Sequence, residues 1–252
     1  MVNKVELVDN TYKRAFFEME ETDEFVNISA NQDVAKVFYT LYNRCKRLFI
    51  TMLYIKEAPD KNVTCVEVLP LLRTFFETHF HLTYVMSETN TTAIKEGYEA
   101  LEKHSHAKRA AKLKHAENLS AEDKAFIEDY YGYSMSKKFK FLDDMRSLSA
   151  KTNQLQLYRT YYTDLNSYIH FNPSTYLNYG RVQGTTFRFN DHEPQDGEDY
   201  TYIEKIIYII GCVFIGEVTN FLNNKELEEK INGFIGGIHE EVFGIQNEEV
   251  SK

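Results

Sequence analysis

The chain has 252 residues, 43% of them hydrophobic and 14% aromatic, which is enough to bury a large core and excludes an intrinsically disordered chain. Only 4 Pro and 11 Gly occur, which excludes a loop-rich all-β protein and makes helices the default. The net charge of −9 argues against wholesale wrapping of nucleic acid, because phosphate binding rests on local positive potential.

The N-terminal stretch MVNKVELVDN has no apolar run of the secretory-signal kind. From Asn31 to about Lys56, apolar residues recur at helical spacing, with Val34, Val37, Phe38, Leu41, Cys45, Leu48, Met52 and Ile55 on one face. APDKN ends that helix. VTCVEVLPLLRTFFETHFHLTYVMS follows, apolar on nearly every side, with Pro70 either starting the helix proper or kinking it. Such a helix is central. Residues 91 to 117 read as a basic helix with a weaker core face. NLSAED restarts a helix at Ser120, with Asp123 completing a capping box where Glu or Gln is usual; a pause is expected near Gly132, with helix resuming through FKFLDDMRSLS.

NQLQLYRTYYTDLNSYIHF puts Leu155, Tyr158, Tyr162, Leu165 and Ile169 on one stripe. Residues 172 to 199 break the pattern with turn-rich segments around TTFRF, which alternates like a short strand, so an exposed loop or small hairpin is predicted there. Helices over about 199 to 223 and 225 to 243 complete the chain. The longest apolar run, Ile206 to Gly216, is interrupted by Glu217 and falls short of the roughly 18 to 20 residues of a membrane span. Glu217 is expected where its helix reaches solvent or a partner. Gly233, Gly236 and Gly237 each weaken the last helix by about 1 kcal/mol relative to Ala, and close helix approach is the expected reason. Cys45, Cys65 and Cys212, odd in number and widely spaced, read as free thiols of a reducing compartment, so a soluble, cytoplasmic protein is expected. With no repeat and no linker, the whole chain, 1–252, reads as one all-α domain, a bundle of about seven to eight helices.

The central helix carries its own polar stripe, Arg73, Glu77 and His81, at i, i+4 and i+8. Charges on a helix apolar all round face other protein, where an unpaired charge costs several kcal/mol, so they require partners. The complement within the chain is Tyr162, Asn166 and His170, also four residues apart. These five groups, Arg73, Glu77, Tyr162, Asn166 and His170, are the candidate catalytic set. In that role His170 is the general acid or base near neutral pH, Arg73 holds a phosphate, Glu77 orients Arg73 or raises the basicity of the histidine, and Tyr162 with Asn166 positions substrate. The competing reading is a satisfied structural seam fixing helix register. The two His-x-His pairs, His79 with His81 and His104 with His106, point to different helix faces and form no metal grip; no cofactor is expected. No Gly-rich phosphate loop, GxSxG or Walker lysine occurs, which excludes hydrolysis by those routes.

LLRTFFE, followed about 90 residues on by Tyr-x3-Asn-x3-His with Pro and Ser just beyond, resembles the bacterial domain-of-unknown-function family 5677 over about residues 31 to 175. Its pattern sets Arg-x3-Glu on one helix and Tyr-x3-Ser-x3-His-Pro-Ser on a later one. Arg73, Glu77, Tyr162 and His170 match, whereas Asn166 replaces the family's Ser and Pro173 and Ser174 stand two residues further along. The resemblance implies an all-helical fold and a polar site, but no reaction. A looser likeness is to HEPN-type helical proteins, many of them metal-independent RNases of toxin and antiviral defence systems with an Arg-x4-6-His motif. RAAKLKH, Arg109 to His115, meets that spacing, with Ala110 in place of the usual polar residue. The function expected from the whole is a HEPN-like, metal-independent RNase or phosphate-processing protein of bacterial defence type, with Lys108, Arg109, Lys112 and Lys114 as a nucleic-acid track. RNA, a second copy of the chain and a partner protein from the same operon are its expected partners, and no membrane. The alternative is a non-catalytic binding or regulatory module.

Overall fold

Helical periodicity dominates the chain, and the computed structural model, which describes residues 4–56, 61–165, 180–183, 186–189 and 197–243, is all-α with one small hairpin. Among the described residues are eleven α-helical segments, more than the seven to eight that the pattern predicts. The surplus begins at the N-terminus. Helix α1 (Lys4–Glu20) was not anticipated, yet it buries Val8, Tyr12, Ala15, Phe16 and Met19, an ordinary amphipathic stripe. A short α2 (Asp23–Asn27), capped by the Thr22 side chain, turns the chain into α3 (Gln32–Lys56).

Helix α3 packs along α4 (Lys61–Ser87), with Phe49 against Phe75. Pro70 lies inside α4, so it does not start that helix. Helix α5 (Thr91–Leu113) starts under the Asn90 cap. The predicted capping box is present at the start of α6 (Ala121–Tyr130): Ser120 accepts from the Asp123 backbone and the Asp123 carboxylate accepts from that of Ser120. Gly132, at φ 87°, follows in the left-handed region, where the pause was expected. The next stretch is not one helix. A 3₁₀ turn (Lys137–Asp143) precedes α7 (Met145–Lys151), because the Asp144 side chain caps a fresh start by accepting from Ser147 N–H.

The predicted stripe around Tyr162 falls on α8 (Leu155–Leu157), a π turn (Tyr158–Tyr162) and α9 (Thr163–Leu165). In the wide turn the Thr163 N–H reaches back five residues to the Tyr158 carbonyl. Tyr162 and Leu165 are buried as predicted, and Ile169 lies outside the described residues. Within the loop window, β1 (Gly180–Gln183) pairs antiparallel with β2 (Thr186–Phe189), Gly180 opposite Phe189. Helices α10 (Gly197–Leu222) and α11 (Lys225–Phe243) follow.

The core joins α1, α3, α4 and α10 through a lattice of aromatic rings. Phe214 of α10 meets Phe16, Tyr42 and Phe75 at centroid distances of 5.7, 5.7 and 5.8 Å. The buried Tyr12 hydroxyl donates to the Tyr208 carbonyl at 2.6 Å and lies 3.3 Å from Cys212 Sγ. Over Ile203–Leu222, α10 is long and apolar enough to cross a membrane by length and composition, a longer window than the run read from sequence, and 61% of it is buried within the fold.

Glycine has opposite meanings in α10 and α11. A Cβ on Gly211 would fall 2.5 Å from Phe49 Cζ and 2.7 Å from a Tyr12 ring carbon, so here close packing requires the bare backbone. At Gly233 and Gly237 nothing lies within 4 Å, so close helix approach is not the reason for either residue. Gly211→Ala is expected to destabilise the protein by about 1 to 3 kcal/mol through overpacking. Gly233→Ala is expected to stabilise it by up to about 1 kcal/mol through helix propensity. Urea denaturation followed by circular dichroism checks both, and shifts of equal sign would contradict this account.

Candidate functional site

Arg73 and Glu77 lie one turn apart on α4, and α9 with its preceding π turn lies against the same face, Tyr161 stacked on Phe76 and Tyr162 edge-on to Phe80. Three of the five candidate groups thereby meet. The Tyr162 hydroxyl donates to Glu77 Oε1 at 2.8 Å and accepts from a terminal Arg73 nitrogen at 3.1 Å. The same Arg73 nitrogen sits 3.1 Å from Glu77 Oε1, and the guanidinium lies over the Tyr162 ring, 5.2 Å from its centroid. Burial first, and the Glu77 hydrogen bond next, push the Tyr162 pKa up to about 12, so at neutral pH the phenol is a proton-bearing donor. The triangle is not sealed: the Arg73 and Glu77 side chains are 23% and 34% exposed. Arg73 Nε is buried without a hydrogen-bond partner among the described residues.

Asn166 and His170, the other two members, lie outside the described residues. His81 does not join the seam. It turns toward α5, where Nδ1 is 3.1 Å from the Tyr98 hydroxyl, and burial first, with the Arg44 charge next, holds its pKa down to about 4.

The four cations proposed as a track lie on or just after α5. Lys108 donates to both Asp143 oxygens at 2.7 Å, and the same carboxylate lies 3.3 Å from His104 Nε2. Arg109 lies over the Phe126 ring and Lys114 over the Tyr131 ring, at 4.9 and 4.1 Å. Lys112 is exposed, as is His115 in the turn beyond α5.

A second polar cluster escaped the sequence reading. Glu217, on the most apolar helix, accepts from Thr83 at 2.8 Å and from the Gln154 amide, and its Oε2 lies 3.2 Å from Nε2 of His79. His79 is 1% exposed and held between Phe75 and Phe214; its approach to Glu217 is close but too oblique for a hydrogen bond. Burial raises the Glu217 pKa, but His79 first and then Thr83 and Gln154 outweigh it, leaving the carboxyl below its ordinary range. The signal available in the sequence was a lone acid inside an apolar run, which needs a buried partner.

A family model described as "Family of unknown function (DUF5677)" matches residues 36–186, a span that holds Arg73, Glu77 and Tyr162 as well as Asn166 and His170. No curated protein and no solved structure matches the chain.

The partly buried His81 and Glu217 make stability depend on pH with the same sign. His81 binds its proton near pH 4 in the fold and near 6.5 when unfolded, so the unfolded state holds more protons between those values. Its contribution is whole above about pH 6.5 and fades as pH falls toward 4, by roughly 2 to 3 kcal/mol in all. Glu217, with its pKa lowered, stabilises the fold above its unfolded value of 4.5 and ceases to do so at lower pH. Thermal melts from pH 8 to 4 are expected to show Tm falling below about 6.5, with His81→Gln flattening the fall between 6.5 and 5. An unchanged slope in that variant would refute the assignment.

Proposed function

The chain belongs to the DUF5677 family of unknown function, and from that premise we propose that it is a metal-independent phosphate-processing protein of HEPN-like type, an RNase of bacterial defence systems. The observation that carries the reading is Arg73. A guanidinium has five N–H donors; here one terminal nitrogen serves both Tyr162 and Glu77, and Nε, buried, serves nothing among the described residues. A buried donor left unpaired costs about 1 to 3 kcal/mol, a cost that an incoming phosphate oxygen removes.

In this reading Arg73 grips the scissile phosphate of RNA, and Glu77 fixes the guanidinium plane. Tyr162, kept protonated, donates to a non-bridging oxygen when Glu77 yields its hydrogen bond. His170 stands two turns beyond Tyr162 in the sequence, in helical spacing, and takes the proton of the attacking 2′-hydroxyl and then passes it to the departing 5′-oxygen. Asn166 positions the ribose. The 2′-oxygen forms its bond to phosphorus as the bond to the 5′-oxygen breaks, leaving a 2′,3′-cyclic phosphate. An acid, a base and a fixed cation suffice for that step.

One observation favours a second reading. The Tyr162 hydroxyl already bridges both charges, which is how a non-catalytic module would fix the register of α4 against α9. Cleavage of a labelled single-stranded RNA in the presence of a chelator separates the two. If the enzyme reading holds, His170→Ala and Arg73→Lys lose about 10²- to 10⁴-fold in rate while melting close to wild type. Tyr162→Phe is expected to lose less. If wild type cleaves nothing and Arg73→Lys and Tyr162→Phe each lower Tm, the seam is structural.

A further inference from the structure

Helix α3 carries five cations, Lys36, Arg44, Lys46, Arg47 and Lys56, against a single carboxylate, Asp33. The ion pairs formed by this helix leave the middle of it positive. Asp33 pairs with Lys95 at 3.0 Å, and Lys46 turns inward to Glu20 at 2.5 Å. Arg44 and Arg47 are exposed and form no ion pair among the described residues. They line a groove with Thr40, Asn43 and Thr51, and no carboxylate stands in its described lining. On a chain of net charge −9, a concave surface with two arginines and no acid is a local exception to the overall field.

Helix α5 presents the opposite case. There Lys108 is neutralised by Asp143, and Arg109 and Lys114 rest on aromatic rings, so three of the four cations of the basic run already have occupants. The two arginines of α3 have none among the described residues. Residues three apart on a helix hold their Cβ atoms about 5 to 6 Å apart, close enough for two guanidiniums to share one phosphate or to hold neighbouring ones. Thr40 and Thr51 give their hydroxyl protons to their own helix, to the Lys36 and Arg47 carbonyls, so the Asn43 amide is the neutral donor available beside the arginines.

We propose that the Arg44–Arg47 groove on α3 is the phosphate-backbone subsite for single-stranded RNA, in place of the basic run on α5. This rests on the RNase reading for its ligand, and binding is therefore tested apart from cleavage. Fluorescence anisotropy with a fluorescein-labelled, 2′-O-methylated RNA strand, which cannot undergo 2′-hydroxyl attack, gives Kd over a series of salt concentrations. Arg44→Gln/Arg47→Gln is expected to weaken binding about tenfold or more at low salt. It should also reduce the slope of log K against log salt by about 1.4, the value for two phosphate contacts on a single strand. Arg44→Lys/Arg47→Lys should recover most of the slope, and Lys13→Gln/Arg14→Gln on α1, which removes the same charge elsewhere, should leave the slope at its wild-type value.

Wild-type binding that is insensitive to Arg44→Gln/Arg47→Gln, or no more sensitive than to the α1 control, overturns the proposal. So does a wild type that binds no RNA at all. Binding that depends on the two arginines, in a protein that cleaves no unmodified RNA, keeps the groove and rejects the reaction.

Discussion

Everything in this molecule is arranged around a helix that has no solvent face to spare. Helix α4 meets α3 and α10 through Phe75, the π turn through Phe76 and Phe80, and α5 through Tyr84 and His81, so a charged side chain or imidazole between these contacts faces a neighbouring element. Among its described residues, the charged pair and the two imidazoles turn to three different neighbours. Arg73 and Glu77 meet Tyr162, His79 meets Glu217 of α10, and His81 meets Tyr98 of α5. The polar groups thus specify which helix lies on which side, a role that apolar packing performs less selectively.

That constraint explains what was legible in the sequence. A charged pair inside LLRTFFE stands out because its surroundings are apolar, and a tyrosine in a second apolar stripe is a natural partner; the structure brings Arg73, Glu77 and Tyr162 within hydrogen-bonding distance. The same logic was not carried to Glu217, whose partners His79, Thr83 and Gln154 come from two distant segments that no periodicity links. Spacing placed His81 on the Arg73 face, but i+8 has drifted far enough round the helix for α5 to claim it. Helix α1 was readable from its stripe of Val8, Tyr12, Ala15 and Met19. The packing at Gly211 was not, since no local pattern reveals which residue of another helix will press on a glycine.

Charge shows a similar division between what composition states and what packing decides. A run of lysine, arginine and histidine along α5 reads as a cationic surface, yet a single carboxylate, Asp143, and the rings of Phe126 and Tyr131 occupy most of it. Arg44 and Arg47 attract no notice in a helix read mainly for its core face, and both face outward. Local potential follows from which charges remain after internal pairing, and a count along the chain does not contain that information.

The wide turn at Tyr158–Tyr162 has a bearing on the short helix after it. A turn closed from residue five rather than residue four contains one residue more than an α-helix would use, and that surplus lets two consecutive tyrosines, Tyr161 and Tyr162, both lie on α4. It also sets the phase of α9, Thr163–Leu165. Taking up or giving back the extra residue would swing the side chains of that short helix through about 100°, one residue's share of a 3.6-residue turn. The Leu165 side chain, buried against the core, is therefore aimed by the turn preceding it, much as a rifle's bearing is set at the breech rather than along the barrel.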